Sequence, residues 1–128
     1  MNIHINTIER SAIMTMLLKN LSNVATDVSL HFTDEGLFAQ GLDSSHVCLF
    51  ELKLDREWFG GEYTIPDDYV VGLSTPFLAK IVATRQPKQT MRFGYENDRF
   101  IISFESSDPD EFNKTFALPV MDINQDHM

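Results

Sequence analysis

At 128 residues the chain is long enough for one domain with a sizeable core and too short for two ordinary ones. Ten Lys and Arg stand against nineteen Asp and Glu, a formal charge of −9, which by itself argues against nucleic acid, because phosphate binding needs clustered cations. Apolar runs reach only about four residues, "MNIHINTIERSA" has no leader pattern, and the one cysteine, Cys48, can form no internal disulfide: no membrane span or secretion is expected, and a reducing compartment fits.

Taken in chain order, "MNIHIN" supplies a leading strand. Thr7 is placed to cap a helix running over about 8–24, where Ile13, Met14, Leu17, Leu18, Leu21 and Val24 recur at helical spacing. "DVSLHF" then alternates through Val28, Leu30 and Phe32, "TDEG" turns, and "LFAQGL" is a second short strand. "HVCLFELKL" is a third, alternating at Cys48, Phe50, Leu52 and Leu54. The piece "DREWFGGEYTIPDD" is the longest irregular stretch, with one short strand expected at about 62–65.

The second half repeats the pattern. "DYVVGL" leads, and "STPFLAKIVATR" reads as a helix with Thr75 as cap, Pro76 at its first position, and Phe77, Leu78, Ile81 and Val82 as its apolar stripe. "QTMRFGY", "FIISFE" and "KTFALPV" follow as strands, the first two joined by the turn "ENDR". Two βαβββ units, at about 1–57 and 67–121, form a single domain, with 122–128 as the start of a connecting segment. The expected fold class is α+β with pseudo-twofold symmetry, both helices packed on one side of the sheets.

The stretch "GLDSSHVCLF" concentrates the residue types of nucleophilic catalysis, but neighbours on a strand point to opposite faces and cannot form a relay. No Gly-x-Ser-x-Gly elbow accompanies them, so no enzyme activity is expected. The four histidines are scattered without metal-ligand spacing, and no phosphate-cradling glycine loop is present; neither metal nor cofactor is expected. Leu42, Val47 and Leu49 break the apolar alternation. They read either as scattered surface residues or as an apolar partner patch with His46 on its rim. On the helices, Lys19 and Lys80 fall away from the apolar stripes, with Arg85 and Lys88 just beyond the second helix. That face is either merely solvated or suited to lie along a phosphate backbone.

"LDSSHVCLFELKL" resembles the signature segment of the proliferating cell nuclear antigen family, the eukaryotic-type DNA sliding clamps. The resemblance runs from Ile13 to about Phe59, resumes over "VGLSTPFLAKIVAT" and closes with "LPVMDIN", similar to the end of the family's first domain. It implies a DNA-clamp domain of a ring that encircles duplex DNA and tethers DNA polymerase and other replication and repair proteins as a processivity factor. The implied partners are duplex DNA without sequence preference, client proteins carrying short clamp-binding motifs, a clamp-loader ATPase, and further copies of the chain. The ring would be a trimer of two-domain chains or six single domains, in the nucleus or at a viral replication site inside the cell. By the same resemblance Leu42, His46, Val47 and Leu49 form the partner-binding pocket, and Lys80 faces DNA, with Lys19, Arg85 and Lys88 as further candidates. Helix 1 departs from the family in carrying Thr15, Met16 and Ser22 where lysine is usual. The alternative is a clamp-fold interaction module that has lost the DNA-encircling role. The chain stops at "NQDHM", where the family continues into a second domain, so a first domain of a longer clamp and a complete single-domain clamp are both open.

Overall fold

The computed structural model describes residues 1–42 and 49–120. In chain order the elements are β1 (Asn2–Ile5), α1 (Ile8–Leu21), β2 (Asp27–Thr33), β3 (Gly36–Leu42), β4 (Leu49–Asp55), α2 (Arg56–Phe59), β5 (Gly60–Thr64), β6 (Tyr69–Ser74), α3 (Thr75–Val82), β7 (Thr90–Glu96), β8 (Arg99–Glu105) and β9 (Lys114–Pro119). The two βαβββ units are therefore present: β1-α1-β2-β3-β4 and β6-α3-β7-β8-β9. Between them lie the short helix α2, which the sequence pattern did not suggest, and β5, which starts two residues before the expected strand. Both are short, and Gly60, with a φ of 78°, ends α2 in the left-handed conformation and turns the chain straight into β5.

The units do not form separate sheets. One sheet has the order β5-β1-β7-β8-β9 and the other β4-β3-β2-β6, with antiparallel pairing throughout. Each unit thus sends its first strand to the three-strand meander of the other: Ile3 pairs with Phe93, and Leu30 pairs with Val71. The exchange gives the expected pseudo-twofold and makes neither half complete without the other. The inner faces of the two sheets meet through Phe32, whose ring lies 6.1 Å from that of Phe93 and 5.9 Å from that of Phe100. One core cluster runs from these rings to Met14 and Leu18 of α1 and to Leu78 and Val82 of α3, so both helices close the same core. The α+β class with two helices packed on the sheets holds.

The helices are tied at both ends. Thr7 caps α1 by accepting from the Arg10 amide, as expected. The buried Ser11 hydroxyl donates to the Ile5 carbonyl at 3.3 Å and accepts from the Met91 amide at 3.1 Å, fixing α1 to β1 and β7 together. At α3 the cap is Ser74 and not Thr75, and Pro76 is accordingly one position further in. Thr75 is fully buried, its hydroxyl donating to the Ala25 carbonyl and its amide to Thr26 at 2.9 Å. The Thr75 side chain is turned inward onto the segment before β2, and the half-buried Ser74 before it accepts from the Phe77 amide as the cap. Because the start of α3 meets residues 25–26 and its far end meets Ile8 through Arg85, the two helices run antiparallel.

The apolar stripes are narrower than the helical spacing suggests. Met14, Leu18 and Leu21 are buried on α1, but Ile13 is 45% exposed; on α3, Leu78, Ile81 and Val82 are buried and Phe77 is 46% exposed. A short pair of helices over two sheets offers each helix only about a third of its circumference as core, and residues at the stripe's margin stay in solvent.

Candidate nucleic-acid and partner interfaces

The outward face of the helix layer carries the cations singled out by the sequence. Met16 lies at its centre on α1, with Ala12, Ile13, Lys19 and Asn20 around it, all exposed; on α3, Lys80 lies at the centre with Phe77, Ala83 and Thr84 beside it. Lys19 and Lys80 have no hydrogen-bond or ion-pair partner among the described residues, so their ammonium groups are available to an outside anion. Glu9, at the far N-terminal end of α1, is the acid on this face.

Arg85 and Lys88 are placed differently. Arg85 is part-buried, and its Nε donates to the Gln89 carbonyl at 2.8 Å while Nη2 donates to the carbonyls of Ile8 and Pro87 at 3.2 and 3.3 Å. Its guanidinium therefore fastens the end of α3 to the start of α1, and burial lowers its pKa from the ordinary arginine value. Lys88 donates through Nζ to Asp108 at 2.8 Å, a surface ion pair that raises the lysine pKa and lowers that of the aspartate, chiefly through the hydrogen bond itself. Its amide meets Glu111, and the nearby Lys114 ammonium is bonded to the Thr84 carbonyl. The turn after α3 is thus stitched to the loop before β9. Sequence spacing alone could not separate these two occupied cations from Lys19 and Lys80: Asp108, Glu111 and Ile8 are distant in sequence, and the nearby Pro87 and Gln89 carbonyls reach Arg85 only through the turn that the fold imposes after α3.

Two of the four candidate partner-pocket residues, Leu42 and Leu49, stand at one end of the β3–β4 ladder. Leu42 and Leu49 are cross-strand partners there, one ladder step beyond Gly41↔Phe50, with Gln40↔Glu51 and Phe38↔Lys53 further down. The candidate pocket residues His46 and Val47 lie outside the described residues, as does the rest of "DSSHVC" (43–48). Further along the same ladder, past Phe38↔Lys53, a shallow cavity of about 300 Å³ is lined by His31, Phe38, Lys53 and Leu54. No feature of the sequence signalled this cavity, because it is assembled from three strands. The last candidate surface is the outer edge of β9, which among the described residues pairs with β8 alone and ends the five-stranded sheet; Thr115, Ala117 and Pro119 are exposed there. Among the described residues no cluster of His, Cys, Asp and Glu could hold a metal, and no helix is long and apolar enough to cross a membrane.

Two sheets exchanging their first strands, backed by two antiparallel helices, define the α+β clamp-type domain. The family model for the proliferating cell nuclear antigen N-terminal domain matches residues 5–127. The chain belongs to that family. It is 26% identical over 123 residues to the proliferating cell nuclear antigen of Chaetomium thermophilum, covering 94% of this chain and 47% of that protein. It is 26% identical over 110 residues to the DNA polymerase sliding clamp of Thermococcus fumicolans, covering 85% and 42%. With the probable DNA polymerase sliding clamp 2 of Paramecium bursaria Chlorella virus 1 it shares 32% over 102 residues, 78% of this chain and 36% of that protein. The chain spans about half the length, or less, of these relatives. Among solved structures, the PCNA2–PCNA3 complex of Sulfolobus tokodaii superposes with a TM-score of 0.86 at 16% identity, over all of this chain and 49% of the matched one, which establishes the shared fold.

Proposed function

We propose that this chain is a non-enzymatic sliding-clamp domain, acting as part of a ring that holds duplex DNA by topology and presents a docking surface to polymerases and other clients. Membership of the clamp family, whose relatives are named sliding clamps, carries this reading. The ring would be built by pairing the outer edge of β9 with a strand from a second copy or a second domain, since an open edge leaves unpaired backbone groups to complete. Inside the ring the helix layer faces DNA. A closed ring needs only weak, sequence-independent contacts, so a chain of net charge −9 serves if its few cations face inward. Replication and repair inside the cell, at the nucleus or a viral replication site, is the setting that fits, with a clamp-loader ATPase to open the ring.

Clients would dock at the end of the β3–β4 ladder, with Leu42, His46, Val47 and Leu49 forming an apolar pocket. Val47→Asp tests this assignment: a charge in a pocket that must desolvate costs roughly 2 kcal/mol or more of binding. The variant is expected to fold normally and to lose capture of a clamp-binding peptide in calorimetry. Normal capture would move the docking site elsewhere.

A second reading, a clamp-fold interaction module without a DNA role, draws on one observation: two of the four candidate cations are already engaged within the chain. Gel filtration combined with loading onto circular DNA separates the two readings, since only the first requires a ring that stays on closed DNA.

A further inference from the structure

We infer that the helix layer contacts duplex DNA through a mixed surface, in which Lys19 and Lys80 take phosphates while Met16, Phe77 and Ile13 lie against the sugar edges of the backbone. The inference rests on the clamp reading proposed above and specifies how its inner surface works.

Three observations carry it. First, three exposed large apolar side chains share this face: Met16 is 59% exposed, Phe77 46% and Ile13 45%, while the core residues on the opposite side of the same helices are almost completely covered. Second, they are interleaved with charge along each helix: Lys19 stands one turn after Met16 on α1, and Lys80 one turn after Phe77 on α3. Each lysine is thus beside an exposed apolar side chain on its own helix. Third, both lysines lack partners among the described residues, whereas Arg85 and Lys88 are held by Gln89, Ile8, Pro87 and Asp108.

This pattern selects its occupant by charge. A second copy of the same face would bring lysine against lysine, which repels. A DNA strand presents alternating anionic phosphates and apolar deoxyribose edges, matching a surface on which cations and apolar groups also alternate. The face then trades electrostatic attraction for apolar contact, and the salt dependence of binding reports the ratio. Two phosphate contacts give a slope of log K against log salt of about −1.8, and four give about −3.6.

The test is binding of this chain to a fluorescent duplex, measured by anisotropy over a range of sodium chloride concentrations. The unsubstituted chain is expected to show a slope near −2. Lys80→Ala should flatten the slope by about one unit. A Met16→Ala, Phe77→Ala pair should weaken binding about fivefold at every salt concentration with the slope unchanged. Both variants change exposed residues, and unchanged thermal unfolding confirms that they fold. A slope near −4, or a Met16/Phe77 variant that binds DNA as well as the original, overturns the mixed-surface inference while leaving the clamp reading in place. Loss of self-association in that variant, seen by sedimentation with DNA affinity unchanged, would assign the patch to a second copy instead. Absence of any duplex binding even at low salt would overturn the DNA reading itself.

Discussion

Replacing Arg85 by alanine separates a structural from a DNA-contacting arginine. The guanidinium makes three bonds to backbone carbonyls: Nε to Gln89 at 2.8 Å, and Nη2 to Ile8 at 3.2 Å and Pro87 at 3.3 Å. A hydrogen bond from a charged donor contributes about 1.5–3 kcal/mol where water is excluded. Here the site is only part-buried, and the two longer bonds share one nitrogen and face solvent, so the three together come to about 2 kcal/mol. At about 2.1 cal/mol/K of unfolding entropy per residue, this chain has an entropy of about 0.27 kcal/mol/K at its midpoint, so the loss lowers Tm by about 7 °C. Arg85→Lys should recover less than half of that, because one ammonium cannot span carbonyls on α1 and on the turn after α3. Lys80→Ala, exposed and without a partner, should move Tm by no more than about 1 °C. Scanning calorimetry on the three variants measures all of this. If Arg85→Ala melts with the original chain and instead loses DNA affinity, the fastening role is wrong and Arg85 belongs with the inner-surface cations.

Gly36→Ala should destabilise by more than about 3 kcal/mol or prevent folding, because its φ of 144° strains any side chain and a Cβ would collide with the Leu54 carbonyl oxygen. Gly94→Ala is the control: its Cβ would meet nothing closer than 3.5 Å, and urea unfolding should change by less than about 1 kcal/mol. Ser11→Ala removes the buried partner of the Met91 amide and should cost about 1–3 kcal/mol, with faster hydrogen exchange at Met91 as the local signature. All three tyrosines have raised pKa values: Tyr63 is pushed up to about 12 and Tyr69 is raised, both mainly by burial, and Tyr95 is raised by its bond to Asp98. The folded state therefore favours the neutral phenols, so stability is full below the ordinary value of 10 and is lost as pH rises from 10 towards 12. Tyrosinate absorbance should lag in the folded protein and return to a midpoint near 10 in denaturant; a normal midpoint in the folded state would show these phenols to be freely solvated.

Which segments would be helix and which strand was written in the hydrophobic period, because burial of one face imposes a spacing that needs no knowledge of what covers it. Val28, Leu30 and Phe32, or Phe100, Ile102 and Phe104, are buried as their alternation requires. The turn at "ENDR" was equally legible: Asn97 and Asp98 both adopt positive φ, 52° and 62°, a conformation their short polar side chains tolerate. The family, too, was legible, in "DSSHV" and the segments around it. Length and local pattern also gave the doubled βαβββ order. The exchange of β1 and β6 between the sheets lay beyond them, since it rests on pairings between distant residues, Ile3 with Phe93 and Leu30 with Val71, and neither carries a mark of its partner.

The cations divide in the same way. Lys19, Lys80, Arg85 and Lys88 look alike in a sequence, each a positive charge on or beside a helix. Whether such a charge is free depends on which carbonyl or carboxylate the fold brings within about 3 Å of it. For Arg85 that is the Ile8 carbonyl at the start of the other helix, and for Lys88 it is Asp108 on the loop before β9. Lys19 and Lys80 meet no such group among the described residues and remain exposed beside Met16 and Phe77. A one-dimensional pattern can place a charge on a face, but its availability is decided by groups that only the folded chain brings near.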